Sequence, residues 1–171
     1  MSFDRLLRGT IRNMREYVAG KTIEESARAY NLDPSAILKL GSNENQLGAS
    51  LRAVEAVREA AGSIHIYPEA DAHDLRIALS GYIGCDVTNI VTGAGMDGVL
   101  DTLMRLFVSE TSEALIPVPT FAYYEIASLA AGGKPVFIKR GDDFQVDIDK
   151  LIDSVSGRTG MIFMCSPNNP S

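Results

Sequence analysis

The chain has little of what small proteins use to staple or metallate themselves. Cys85 and Cys165 are its only cysteines, and their separation fits neither a disulfide framework nor a zinc-ligand spacing, so a reducing, cytoplasmic setting is expected. His65 and His73 are its only histidines, and no third ligand is spaced to join them; no metal site is expected. No apolar run approaches the ~20 residues of a membrane span, and the start MSFDRLLRGTIRNMR lacks the apolar core of a signal peptide. Cationic residues are not clustered, and 16 Lys and Arg stand against 22 Asp and Glu for a formal charge of −6, so nucleic acid is not an expected partner. Internal repeats and low-complexity segments are also lacking.

What is present is a globular balance. The 171 residues are 46% hydrophobic and 22% charged, enough for one ordinary domain but not comfortably for two. Residues 1–40 read as an irregular arm with helical stretches. In TIEESARAYNLDP, Ile23, Ala27 and Tyr30 share one face behind Thr22, an N-cap, and the pattern stops at Asp33-Pro34. KLGSNENQLGAS (39–50) is a loop. Ser50 then caps LRAVEAVREAAG, with Leu51, Val54, Val57 and Ala61 as a buried stripe and Gly62 as the stop. Residues 64–68 are expected to be extended. A helix opening at Asp71 and Asp74 places Leu75, Leu79 and Tyr82 inward.

From there strand and helix alternate. The pattern predicts strands over 90–92, 114–118, 135–139 and 161–164. Between them it predicts helices over 97–107 (on Leu100, Leu103 and Phe107), 121–131 and 147–155. Such alternation implies right-handed crossovers and an α/β fold, a mainly parallel sheet covered by helices on both faces. The last apolar strand is followed by one loop and no closing helix, so the chain reads as the N-terminal portion of a longer protein.

One loop invites a specific reading. GAGMDG (93–98) follows an apolar β-branched run and spells G-x-G-x-x-G, the dinucleotide fingerprint. That fingerprint asks for a carboxylate at the tip of the next strand, to hold the ribose. Here ALIPV runs instead into Pro119-Thr120. A strand ending, two glycines turning the chain, and a helix starting at Met96 and Asp97 leave a simpler possibility: backbone N–H groups and the positive helix end form a seat for one phosphate. An ordinary turn that holds nothing is the alternative on this loop alone.

Parallel-sheet proteins bind ligands outside the carboxyl ends of their strands, and three such ends carry GAGMD (93–97), PVPTFAYY (117–124) and CSPNNPS (165–171). With KLGSNEN (39–45) and IYPEADAHDLRIAL (66–79) in the same order, they resemble the pyridoxal-phosphate-dependent aminotransferases of fold type I, and most nearly those acting on histidinol phosphate. The resemblance runs from REYVAGKTIEESARAYNLDPSAILKL to the end.

The resemblance implies pyridoxal 5'-phosphate as cofactor and amino-group transfer between an amino acid and an oxo compound. It implies an arm with part of the small domain over 1–50 and the first portion of the cofactor-binding large domain over 51–171. Gly95, Met96 and Asp97 would seat the cofactor phosphate, Tyr124 would stack on its pyridine ring, and Asn169 would bond its ring oxygen. In a homodimer, Tyr67 would reach the neighbouring phosphate and Tyr17 would help hold the substrate phosphate; Asn43 would border the substrate. The Schiff-base lysine of the family lies beyond the PNNP element, hence beyond residue 171, and these residues alone are expected to be inactive. Departures from the family pattern are Gln46 and Ala49 where proline is usual, Ala94, Met96 and Gly98 in the glycine loop, and Ser171 in place of threonine. Other readings are an aromatic or other amino-acid aminotransferase, a phospho-amino-acid decarboxylase, a nicotinamide oxidoreductase, and a non-catalytic binding module.

Overall fold

The computed structural model describes residues 3–12, 14–17 and 19–171. They divide into two compact units, Val18–His73 on one side and Met1–Tyr17 with Asp74–Ser171 on the other.

The larger unit is built on three parallel strands, β1 (Glu113–Val118), β2 (Lys134–Lys139) and β3 (Thr159–Ile162), in the order β2-β1-β3. β1 is central and buried nearly throughout, which is why EALIPV is a continuous apolar run after its first residue rather than an alternation. Leu115 pairs with Val136 on one side and Ile162 on the other. Pro117 has no N–H to give a ladder, and it falls where none is needed. Its hydrogen-bonding side faces β3, and that ladder ends where Phe163 N–H donates to Leu115 O at 2.9 Å.

Helices α1 (Gly9–Arg12), α5 (Gly95–Phe107), α6 (Tyr123–Ala131) and α7 (Ile148–Asp153) belong to the same unit. One core cluster joins Met104, Val108, Ala114, Ile116, Tyr124, Ala127 and Phe163, and a second joins Leu115, Ile138 and Leu151. The two clusters take opposite faces of β1, so the sheet is covered on both faces. Gly132 ends α6 in the left-handed region at φ 96, and Asp147 caps α7 by accepting from Lys150 N–H. Gly160 leaves β3 room to pass α5: a Cβ there would collide with the carbonyl oxygen of Phe107.

The smaller unit holds α2 (Ile23–Tyr30) and α3 (Leu51–Ala60). The N-cap expected at Thr22 is present as a full capping box with Glu25, and Asn31 in the left-handed region closes the helix. Segment 39–50 contains no helix or strand. A further helix, α4 (His73–Ile83), crosses the junction of the units in sequence.

Several expectations are corrected. Residues 90–92 form no strand: Ile90 has extended angles and is buried, but its carbonyl is taken by Arg76 Nε at 3.0 Å and no described strand lies alongside. The α3 stripe is not buried; Leu51 is 86% exposed and Val57 is exposed too, because a helical pattern says which face is apolar and not what covers it. Leu75 and Tyr82 of α4 are likewise exposed. Residues 64–66 turn and bend instead of extending, and 67–68 belong to no strand. In α5 the buried residue is Met104, followed by Val108 just past the helix, while Phe107 is exposed. The contact line runs 100–104–108, an i,i+4 row, instead of 100–103–107.

Among the described residues no helix is long and apolar enough to cross a membrane, and no His, Cys, Asp and Glu cluster is suited to a metal.

Candidate functional site

At the carboxyl ends of β1 and β3 the chain leaves the sheet through 119–122 and 163–171, and the helix start of α5 lies in the same unit. α5 begins at Gly95, whose φ of 69 belongs to the left-handed region that glycine enters without penalty. Its missing side chain faces open space. The N-cap position is Ala94, which offers no side-chain capping bond. The first-turn N–H groups at Met96 and Asp97 therefore have no cap, and both residues are exposed. A helix start in that condition attracts an anion. One turn on, Leu100 packs against the core cluster together with Phe121, Tyr123 and Cys165, and Tyr123 Oη donates to Asp101 at 3.1 Å.

The aromatic positions sort differently from expectation. Tyr124 is 8% exposed, its ring stacked on Phe163 with centroids 4.4 Å apart and set edge-on to Phe121 at 5.7 Å. One face of that ring is taken by Phe163, and the side chain lies in the floor below the loop. Burial pushes its hydroxyl up to about 12, helped by its hydrogen bond to the Cys165 sulfur. That same bond, more than any other contact, lowers the Cys165 thiol; the backbone N–H of Asn169 and the Arg140 charge add to it. The aromatic ring on the loop itself is Phe121, half-buried three residues earlier.

The 165–171 loop is tied down by Asn168 rather than Asn169. Asn168 Oδ1 accepts from Thr120 Oγ1 at 2.7 Å and from Arg140 Nη2 at 3.1 Å, and its Nδ2 donates to Pro119 O at 3.1 Å and Ser171 Oγ at 2.7 Å. Its amide is fully used. Asn169 is exposed beside it, with its side chain left over for another partner.

Gly95, Met96, Asp97, Tyr124 and Asn169 all belong to the larger unit, as does the half-exposed Tyr17. Asn43, at φ 51, and Tyr67, 97% exposed, belong to the smaller one. Sequence reasoning missed Phe121, Asn168 and Arg140. The first two lie inside the quoted PTFAYY and PNNP stretches; Arg140 has no motif, and its only signal is a charge directly after an apolar strand.

Open backbone donors, a ring and an amide gathered at the strand ends are the means by which α/β domains take a phosphate-bearing ligand. The chain belongs to the family of aminotransferases of class I and II, whose model matches residues 35–171. It is 53% identical over 172 residues to the histidinol-phosphate aminotransferase of Methanosarcina barkeri, covering 100% of this chain and 47% of that protein. It is 53% identical over 167 residues to the enzyme of the same description from Methanosarcina mazei, covering 97% and 45%. The chain thus spans about half the length of the curated relatives it matches. Among solved structures, histidinol-phosphate aminotransferase from Sinorhizobium meliloti in complex with pyridoxal-5'-phosphate superposes with a TM-score of 0.82 at 25% identity, over 96% of this chain and 43% of that one. Aspartate aminotransferase from Thermotoga maritima shares the fold, with a TM-score of 0.77 at 19% identity over 96% and 46%.

Proposed function

We propose that the intact protein is a pyridoxal-phosphate-dependent aminotransferase that moves the amino group between histidinol phosphate and 2-oxoglutarate. The observation that carries this reading is the uncapped start of α5 in one unit with the Phe121 and Asn169 loops, in a chain 53% identical to histidinol-phosphate aminotransferases.

The residues fit the group. The unengaged N–H groups at Met96 and Asp97 would hold its phosphate beside Gly95, whose own N–H donates to Gly93 O at 2.8 Å, and backbone donors bind a phosphate whatever the side chains are. The half-buried ring of Phe121, in place of Tyr124, would lie against the pyridine, where a flat ring gives area at low entropy cost. The unengaged amide of Asn169 would donate to the ring oxygen without itself titrating. When bound, the cofactor supplies an electron sink for the bond broken at the substrate carbon. Tyr17 and Asn43 would border the substrate. The exposed Tyr67 would reach the second site of a homodimer, for which Leu51, Val57 and Ile64 offer uncovered apolar surface. A cytoplasmic enzyme of amino-acid biosynthesis follows from the same reading.

The test is a titration of the full-length apoprotein with pyridoxal phosphate, followed by an assay of histidinol phosphate, aromatic and aliphatic donors with 2-oxoglutarate. Visible absorbance on binding and preference for histidinol phosphate are expected. Absence of cofactor binding overturns the activity, and preference for an aromatic donor overturns the substrate.

A further inference from the structure

Arg140 directly follows β2 and is 8% exposed. Nη1 donates to Phe144 O at 3.0 Å and Nη2 to Asn168 Oδ1 at 3.1 Å, while Nε is buried with no partner. Among the described residues no carboxylate pairs with it. A buried guanidinium without a counter-charge is costly to a fold. Its position therefore calls for a reason beyond packing.

We propose that Arg140 is the positioning residue of the 165–171 loop, the element that keeps Asn169 presented to a ligand. A guanidinium has donors and no acceptor. Facing Asn168, it admits only the carbonyl side of that amide. The NH2 side must then point the other way, to Pro119 O and Ser171 Oγ, where it is found. Arg140 thus fixes which way Asn168 is turned, and Asn168 fixes the loop to the end of β1 on one side and to its own last residue on the other. Asn169, the next residue, is left with its side chain free. The buried charge also adds positive potential beneath a site that takes an anionic ligand, a part of the inference that rests on the cofactor reading given above.

The experiment uses the full-length protein as R140M, R140K and, as a control at the opposite end of the sheet, E113Q. Two quantities are measured: the affinity of the apoprotein for pyridoxal phosphate, and hydrogen exchange across 165–171 without the cofactor. R140M is expected to weaken the cofactor at least tenfold and to speed exchange in the loop about tenfold or more, with exchange in β1 below Ile116 unchanged. R140K keeps the charge but not the two-pronged grip, and is expected to recover part of the affinity and little of the protection. E113Q is expected to alter neither. Wild-type affinity and loop protection in R140M overturn the proposal, as does an equal loss in E113Q. If R140M does not fold, R140K decides, and unchanged affinity and exchange in it overturn the proposal. A wild-type protein that binds no pyridoxal phosphate, with R140M still loosening the loop, supports Arg140 as the loop's anchor and sinks the cofactor reading instead.

Discussion

At the amino end of β1 the buried carboxylate of Glu113 meets Arg158 at 2.8 Å, Ser156 Oγ at 3.2 Å and Lys134 at 3.7 Å. At the carboxyl end of β2 the buried guanidinium of Arg140 meets a carbonyl and an amide oxygen, with one nitrogen unmatched. The same sheet balances its charge at one end and leaves it unbalanced at the other. The glycines differ in the same sense: Gly160 lets β3 pass the backbone of α5, whereas Gly95 opens onto empty space. One end is closed by complementarity, while the other keeps helix-start donors and an amide unengaged beside a half-buried ring. Uncompensated groups of this kind are tolerated where a ligand or a constrained loop compensates them.

The most forceful way to break the comparison is to remove the floor under the open end. Tyr124→Ala deletes a ring stacked on Phe163 and packed in the main core cluster. Large-to-small changes of that kind cost about 3–5 kcal/mol, and for a chain of this size the midpoint of thermal unfolding should fall by roughly 10 °C. Tyr124→Phe keeps the ring and loses only the hydrogen bond to Cys165, so its loss should be far smaller. Scanning calorimetry of both variants decides: a Tyr124→Ala protein as stable as wild type would mean that the ring is not part of the floor.

Gly95→Ala sharpens the comparison at the open end. No atom would meet the new Cβ, so the effect is purely conformational. Holding a side-chain-bearing residue at φ 69 costs about 1–2 kcal/mol, or the start of α5 unwinds and its N–H groups lose their aim. Cofactor affinity, measured by absorbance titration, is expected to fall about tenfold or more with little change in the core. Undiminished affinity would place the phosphate elsewhere.

How much of this was legible follows from what each feature depends on. β1, β2 and α7 could be read because apolar runs and a capping Asp147 are local. The helix start after the glycines and the turn-rich 165–171 loop could be read because they rest on glycine, proline and asparagine chemistry within a few residues. The strand at 90–92 failed since a strand needs a neighbour, and Ile90 finds a side chain instead. The stripe on α3 was correctly apolar and wrongly buried. Phe121 and Tyr124 lie three residues apart, and sequence cannot say which ring turns inward; the stacking with Phe163, from the far strand, decides it. Arg140 owes its burial to a loop that follows about two dozen positions later, and no local pattern carries that.

The gentlest probe acts at the closed end and is read through pH. The hydrogen bond from Arg158 holds the Glu113 carboxyl below its usual value, with Ser156 and Lys134 in support. A carboxylate lowered in the folded state contributes stability that is present above the ordinary Glu value of about 4.3 and is lost as pH falls through the lowered folded value. Arg158 and Lys134 are largely exposed, so the contribution is screened and modest. Glu113→Gln should therefore lower the unfolding midpoint by a few degrees at most near neutral pH. The gap to wild type should narrow as the medium is acidified below the usual carboxylate range, and should close once Glu113 is protonated in both states. Cofactor affinity should stay unchanged throughout. A gap that persists undiminished at low pH would mean that Glu113 acts through shape and not charge, and a loss of cofactor affinity would mean that the two ends of the sheet are not independent.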